Sequence, residues 1–153
     1  MTRDEACRKI SEAIAAYSHI GPLTACALYG NGHINDTFLA VTQTGRRYIL
    51  QRINHEVFPH PRQIMANIEG VTAHIRRRAE EAGEDPDRAT LTIVRCDDGK
   101  SFFTDSIGCS WRMYDFVEGT VARDRVENAD DFRACGKAFG RFQGLLCDYP
   151  AKD

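Results

Sequence analysis

Gly30-Asn31-Gly32, a polar turn between two segments rich in β-formers, is the stretch of this 153-residue chain whose residue types and spacing could do chemistry. Glycine has no Cβ and tolerates φ > 0, so a backbone built from it can come close to a ligand. Successive N–H groups in such a turn form a concave anion site suited to phosphates. A pair of glycines between strands is equally the content of an ordinary hairpin turn, and the residues alone leave both readings open. The run Arg76-Arg77-Arg78 is followed at once by Glu80-Glu81 and reads as a solvated helix face rather than a phosphate patch.

Cys7, Cys26, Cys96, Cys109, Cys135 and Cys147 stand singly. There is no Cys-x-x-Cys and no histidine cluster at metal spacing, so neither a metal site nor a disulfide framework is expected. Lys+Arg number 20 against 22 for Asp+Glu, a net charge of −2, and no global basic field argues for nucleic acid. The N-terminus lacks a signal-peptide core and no apolar run approaches about 18 residues, so no membrane segment is expected and a reducing cytoplasm is the default. A chain of this length suits one domain and can bury roughly 70% of its unfolded surface.

Stepping along the chain, Ala6, Ile10, Ala13, Ile14 and Tyr17 fall at helical spacing and predict a helix over residues 3–18, ended by Gly21-Pro22. Ala25 to Tyr29 reads as a first strand, Phe38 to Thr42 as a second, and Arg47 to Ile53 as a third that pairs back after Thr44-Gly45. Pro61 suits the first turn of a helix. Ile64, Ile68, Val71 and Ile75 give that helix one buried stripe, to about Ala82. After a polar loop at Glu84–Asp87, Leu91 to Cys96 reads as a strand, Asp97-Asp98-Gly99-Lys100 as a hairpin turn, Phe102–Thr104 as its return, and Cys109 to Val117 as the last strand. The tail Asp115–Gly119 bends out of the sheet. Asn128 caps a final helix over Ala129–Leu146, striped by Phe132, Cys135, Phe139, Phe142 and Leu146. Gly136, Gly140 and Gly144 recur every four residues in it. Each costs a helix about 1 kcal/mol relative to alanine, so the row predicts close approach by another element. The fold class expected is α+β: an antiparallel five- or six-stranded sheet with one helix packed on it, flanked by N- and C-terminal helices. Residues 1–22 form the N-terminal helix, 23–119 the sheet lobe with its helix 61–82, and 120–153 a linker and C-terminal helix.

Tyr29-Gly30-Asn31-Gly32-His33-Ile34-Asn35-Asp36-Thr37, followed by Tyr48-Ile49-Leu50-Gln51-Arg52-Ile53-Asn54, resembles the start of the N-acetylhexosamine 1-kinases, within the aminoglycoside phosphotransferase and choline kinase-like group. The resemblance extends through the helix after Pro61 to Arg133–Leu146. It implies the nucleotide-binding small lobe of a protein-kinase-like fold, with ATP and Mg²⁺ as cofactors and a small-molecule acceptor, a sugar, in the whole enzyme. Gly30, Asn31 and Gly32 would then cover the ATP phosphates, with His33, Asn35 and Thr37 as added donors. Kinase-like folds place a cation on the third strand. Here Gln51 stands at that position, with Ile49 on its face against the adenine, and a register slipped by one would put Arg52 there instead. If Gln51 is the equivalent, the charge must come from elsewhere. The helical residue that orients this position lies nearer Asn67 than Glu69, and an Asn67–Gln51 amide pair would be self-consistent. The carbonyl of Asp115 and the N–H of Val117 would meet the adenine edge.

One expected segment is missing. No His-Gly-Asp or His-Asn-Asp followed by Asn occurs, so no residue here is assigned as a general base or a magnesium ligand. The chain thus reads as half of a kinase, inactive alone, with Mg²⁺ held mainly by the other half. Loss of that half would uncover the Gly136/Gly140/Gly144 face and favour self-association. The alternatives are a stand-alone, non-catalytic nucleotide-binding or interaction domain of the same fold, and an unrelated α+β module whose Gly30-Asn31-Gly32 is a turn only.

Overall fold

Short β-rich segments punctuated by glycine turns close into a single antiparallel sheet of six strands: β1 (Leu23–Leu28), β2 (Asp36–Thr42), β3 (Arg47–Arg52), β4 (Ile93–Val94), β5 (Phe103–Thr104) and β6 (Ser110–Asp115). They run in the order β1-β2-β3-β6-β4, with β5 also on β6. The computed structural model describes residues 10–30, 32, 34–120 and 125–150. Helix α1 is described over residues 10–15 and is followed by a 3-10 turn at Ser18–Ile20. The other helices are α2 (Pro61–Glu81), α3 (Pro86–Ala89) and α4 (Ala129–Leu145). No helix among the described residues is long and apolar enough to cross a membrane. The architecture is the α+β sheet-and-helix arrangement that the hydrophobic periods predict.

The chain divides into two units, residues 1–69 with 91–116 and residues 70–90 with 117–153. In the first, strand alternation sends Ala40, Tyr48, Leu50 and Met113 to one face of the sheet, where Ala13 and Tyr17 complete a buried cluster with Trp111 and Cys96. The Tyr17 hydroxyl donates to the Trp111 carbonyl at 3.4 Å, and burial pushes its phenol well above the ordinary tyrosine range. The 3-10 turn is held by Asp97, which accepts the Ser18 N–H at 3.0 Å and lies 2.7 Å from His19 Nδ1. Those hydrogen bonds hold the Asp97 carboxyl well below the usual carboxylate range.

The Asp97–Lys100 turn forms, with Gly99 at φ +81° and the Cys96 N–H on the Lys100 carbonyl at 2.8 Å. The segment after it does not return along β4. Ile93 and Val94 pair with Tyr114 and Met113, and Phe103 and Thr104 pair with Trp111 and Ser110 further along the same strand. Since β3 occupies the other edge of β6, β4 and β5 are two pieces of one edge strand, and the turn is an excursion between them. The β5 end of this edge is held by Asp105, which is buried. Its carboxylate accepts the Trp111 indole N–H at 2.9 Å and the backbone N–H groups of Ile107 and Cys109 at 3.1 and 2.8 Å. That aspartate ties the β5–β6 turn to the core and sets β5 against β6.

In the second unit, Asn128 caps α4 as its position predicts, accepting the Asp131 N–H at 2.9 Å. Asp85 caps α3 in the same way through Asp87 N–H at 2.9 Å. The C-terminal end of α4 is closed by His74 of α2, whose Nε2 lies 3.0 Å from the Leu145 carbonyl and 3.2 Å from Asp148. Arg77 contacts Nδ1 at 3.0 Å. A guanidinium can only donate, so Nδ1 accepts and Nε2 carries the proton that satisfies a terminal helix carbonyl. Tyr149 packs edge-on to His74 with centroids 5.2 Å apart. Its hydroxyl occupies the space a Cβ on Gly70 would need. The stripe on α4 is uncovered: Phe132 and Phe139 are 72% and 66% exposed, and the space beside Gly136, Gly140 and Gly144 is open.

Replacing Asp105 by Ala strands a buried indole N–H and two turn N–H groups. The buried indole N–H left unpaired costs about 1–3 kcal/mol, and the two turn N–H groups, which can reach water, about 1 kcal/mol together. Chemical denaturation of Asp105→Ala should therefore show a loss of about 2–4 kcal/mol. Asp105→Asn, which keeps one acceptor oxygen, should lose less.

Candidate functional site

The glycine turn is built by the strand pair that flanks it. The Tyr29 N–H donates to the Thr37 carbonyl at 2.9 Å, which closes the mouth of the 30–36 segment. Gly30 is left-handed, φ +76°, with nothing within 4 Å of the place a Cβ would occupy. Gly32 is not left-handed, and its nearest neighbour there is the Asn35 carbonyl at 3.9 Å. Asn31 and His33 lie outside the described residues. Asn35 turns its side-chain oxygen to the Asn54 N–H at 3.0 Å, fastening the turn to the chain leaving β3.

Register then decides which side chains share a face. Thr37 is paired with Gln51, and Gln51 with Arg112. The three side chains form a ladder across β2, β3 and β6. Gln51 Nε2 donates to Thr37 Oγ1 at 2.9 Å, while Arg112 donates to Gln51 Oε1 through Nε at 3.1 Å and Nη2 at 3.0 Å. Because a guanidinium has only donors, the amide must point its oxygen to Arg112 and its NH₂ to Thr37. Ile49, two residues before Gln51, is on the same face, half-buried, and paired with Leu39 and Tyr114. Helix α2 meets this face through the buried Met65, whose Sδ is 4.0 Å from Arg112 Nη1.

Arg52 points the other way. It is ion-paired with Asp36, its register partner, with Nε to Oδ2 at 2.7 Å, and its Nη1 lies 3.9 Å from Cys109 Sγ. It borders a cavity of about 410 Å³ shared with Asn54 and His55. The Asn67–Gln51 amide pair does not form among the described residues: both ends of the Gln51 amide are taken, and Asn67 is exposed on α2. Glu69 pairs with Arg95 at 2.9 Å. Asp115 ends β6, its N–H on the Thr92 carbonyl at 2.9 Å and its carboxylate on Arg46 at 3.0 Å. Val117 accepts the Thr120 hydroxyl on its carbonyl at 2.8 Å. No group of three or more His, Cys, Asp or Glu placed for a metal ion occurs among the described residues.

Arg112 is the residue that reading the sequence passed over. Its signal was a lone charge inside Trp111-Arg112-Met113-Tyr114, where every neighbour is apolar or aromatic and buried.

The sheet and its helices define a kinase-like small lobe. Among solved structures the chain is similar to the amicoumacin kinase hAmiN, determined in complex with AMP-PNP, Ca²⁺ and Ami, with a TM-score of 0.62 and 18% identity. The match covers 99% of this chain and 45% of that one, so the chain spans just under half the length of this neighbour. No protein-family model matches. At that identity the likeness establishes the fold, and the particular N-acetylhexosamine kinase family is not established by it.

An alanine forced to keep φ near +76° costs roughly 1–2 kcal/mol. Gly30→Ala should therefore lower stability by about that amount in denaturant titrations. Gly32→Ala should stay within about 0.5 kcal/mol of the parent chain.

Proposed function

We propose that this chain is the nucleotide-binding small lobe of an ATP-dependent phosphotransferase acting on a small-molecule hydroxyl. The observation that supports it most is the ladder. The fold is a kinase-like small lobe, and the strand residue expected at the phosphates, Gln51, lies on one face with Thr37 at the exit of the glycine turn and with Ile49. Arg52, already paired with Asp36 on the other face, is the weaker candidate, and Gln51 is preferred.

In this reading the backbone of Gly30, Asn31 and Gly32 covers the phosphates, and His33 and Thr37 add donors. Asn35 acts chiefly by holding the turn to Asn54. Ile49 packs on the adenine, and the main chain at Asp115 and Val117 meets its edge. ATP supplies the transferable γ-phosphoryl group, and Mg²⁺ screens its charge. The work of this chain is to bind and orient the nucleotide and to hold water away from one side of it. The general base and the magnesium ligands are proposed to come from sequence outside these 153 residues, because no His-Gly-Asp or His-Asn-Asp segment supplies them here. The acceptor proposed is a sugar, through the anomeric hydroxyl of an N-acetylhexosamine or a similar alcohol. That assignment rests on the resemblance of Tyr29–Thr37 and Tyr48–Asn54 alone.

Titration of the chain with ATP and Mg²⁺, followed by backbone amide shifts, should move residues 29–37, 49–52 and 115–117 without any release of phosphate. A well-folded sample in which ATP moves nothing, or moves only amides remote from these three stretches, would remove the proposal.

A further inference from the structure

If the third-strand position is a neutral glutamine, the positive charge that a polyphosphate needs must stand elsewhere. The ladder supplies it. Arg112 is half-buried, in register with Gln51, on the face that also holds Thr37 and Ile49. Three other arginines of the same unit are matched to carboxylates, Arg46 to Asp115, Arg52 to Asp36 and Arg95 to Glu69, while Arg47 stacks on the Phe116 ring and Arg62 is solvent-exposed. Arg112 is matched to no carboxylate among the described residues. Among the described residues its side chain meets only the neutral oxygen of Gln51, the Met65 sulfur, and the Tyr114 ring, whose centroid lies 5.2 Å from its guanidinium carbon.

A partly desolvated cation with no counter-ion is costly to keep, because the hydration it gives up is not replaced by an opposite charge. A site that keeps one is configured for an anion that comes and goes. The geometry fits that purpose. Two donors, Nε and Nη2, are spent on Gln51 Oε1, which fixes the plane of the guanidinium, while Nη1 makes only the 4.0 Å sulfur contact. A planar fork held in one orientation is suited to phosphate oxygens.

We propose that Arg112 is the cation of this site, binding the phosphates of a nucleoside di- or triphosphate, with Gln51 as the positioning residue that aims it. The charge is thereby moved from the third strand to its register partner on β6. This inference rests on the nucleotide-binding reading above, and the test separates the two.

Calorimetry on the full 153-residue chain would compare ATP, ADP and adenosine, with Mg²⁺ present, for the parent, Arg112→Met, Arg112→Lys and Arg52→Gln. Hydrogen bonds to a charged group correspond to about 10- to 100-fold in affinity. Arg112→Met should weaken ATP and ADP by about that factor and leave adenosine within about twofold, since adenosine has no phosphate. Arg112→Lys should recover part of the loss, and Arg52→Gln should leave the ATP-to-adenosine ratio unchanged. Equal losses for ATP and adenosine in Arg112→Met would make the residue structural and overturn the assignment. So would an unchanged ATP affinity in that variant, or a changed ratio in Arg52→Gln. A parent chain that binds adenosine and ATP equally well defeats the role of Arg112 while leaving nucleoside binding in place. A parent that binds neither removes the nucleotide reading itself.

Discussion

Strand β3 runs through the interior of the sheet with β2 on one edge and β6 on the other, so its side chains have only two directions to take. Tyr48 and Leu50 go to the buried cluster under α1, and Ile49 and Gln51 go to the opposite face. Burial of the first pair locks the register, because a slip of one residue would carry Gln51 into the core and Leu50 out of it. The placement of the polar ladder is therefore a consequence of hydrophobic packing on the far side of the same strand. Arg52 is displaced from that face by the same rule, and its ion pair with Asp36 reinforces the register.

Much of this was legible in the chain. The β-forming runs Phe38–Thr42 and Arg47–Ile53 bounded by glycine turns, Pro61 at the start of α2 and Asn128 at the start of α4 all depend on local chemistry, and local chemistry is written in sequence. What failed to read was non-local. The return expected after Asp97–Lys100 is a sound turn, but the segment after it joins β6 rather than β4, a choice set by which sheet edge is open and not by the turn residues themselves. The Asn67–Gln51 pair failed for a related reason. Gln51 had better partners on its two neighbouring strands, and only the register reveals that Thr37 and Arg112 flank it.

The α4 stripe illustrates the converse. Phe132, Phe139 and Phe142 obey helical period well enough to predict the helix, yet they are exposed. Amphipathic spacing predicts that a face is apolar and says nothing about which surface covers it. His74, by contrast, has no periodic signature. It is nevertheless the group that satisfies the end of α4, because only the folded chain brings residue 74 to residue 145.

The choice of glutamine at position 51 has an electrostatic logic. A glutamate there would hold Arg112 through the same two hydrogen bonds and more tightly, but its charge would cancel the field offered to an incoming anion. The amide oxygen accepts both donors and leaves the guanidinium with its full charge. Thr37 then fixes the amide from the other side, so its oxygen cannot swing away from Arg112. In the proposed nucleotide site, a threonine, a glutamine and an arginine drawn from three strands would together do the work of a single cation on the third strand. Their arrangement depends on a register set by the apolar residues beneath them.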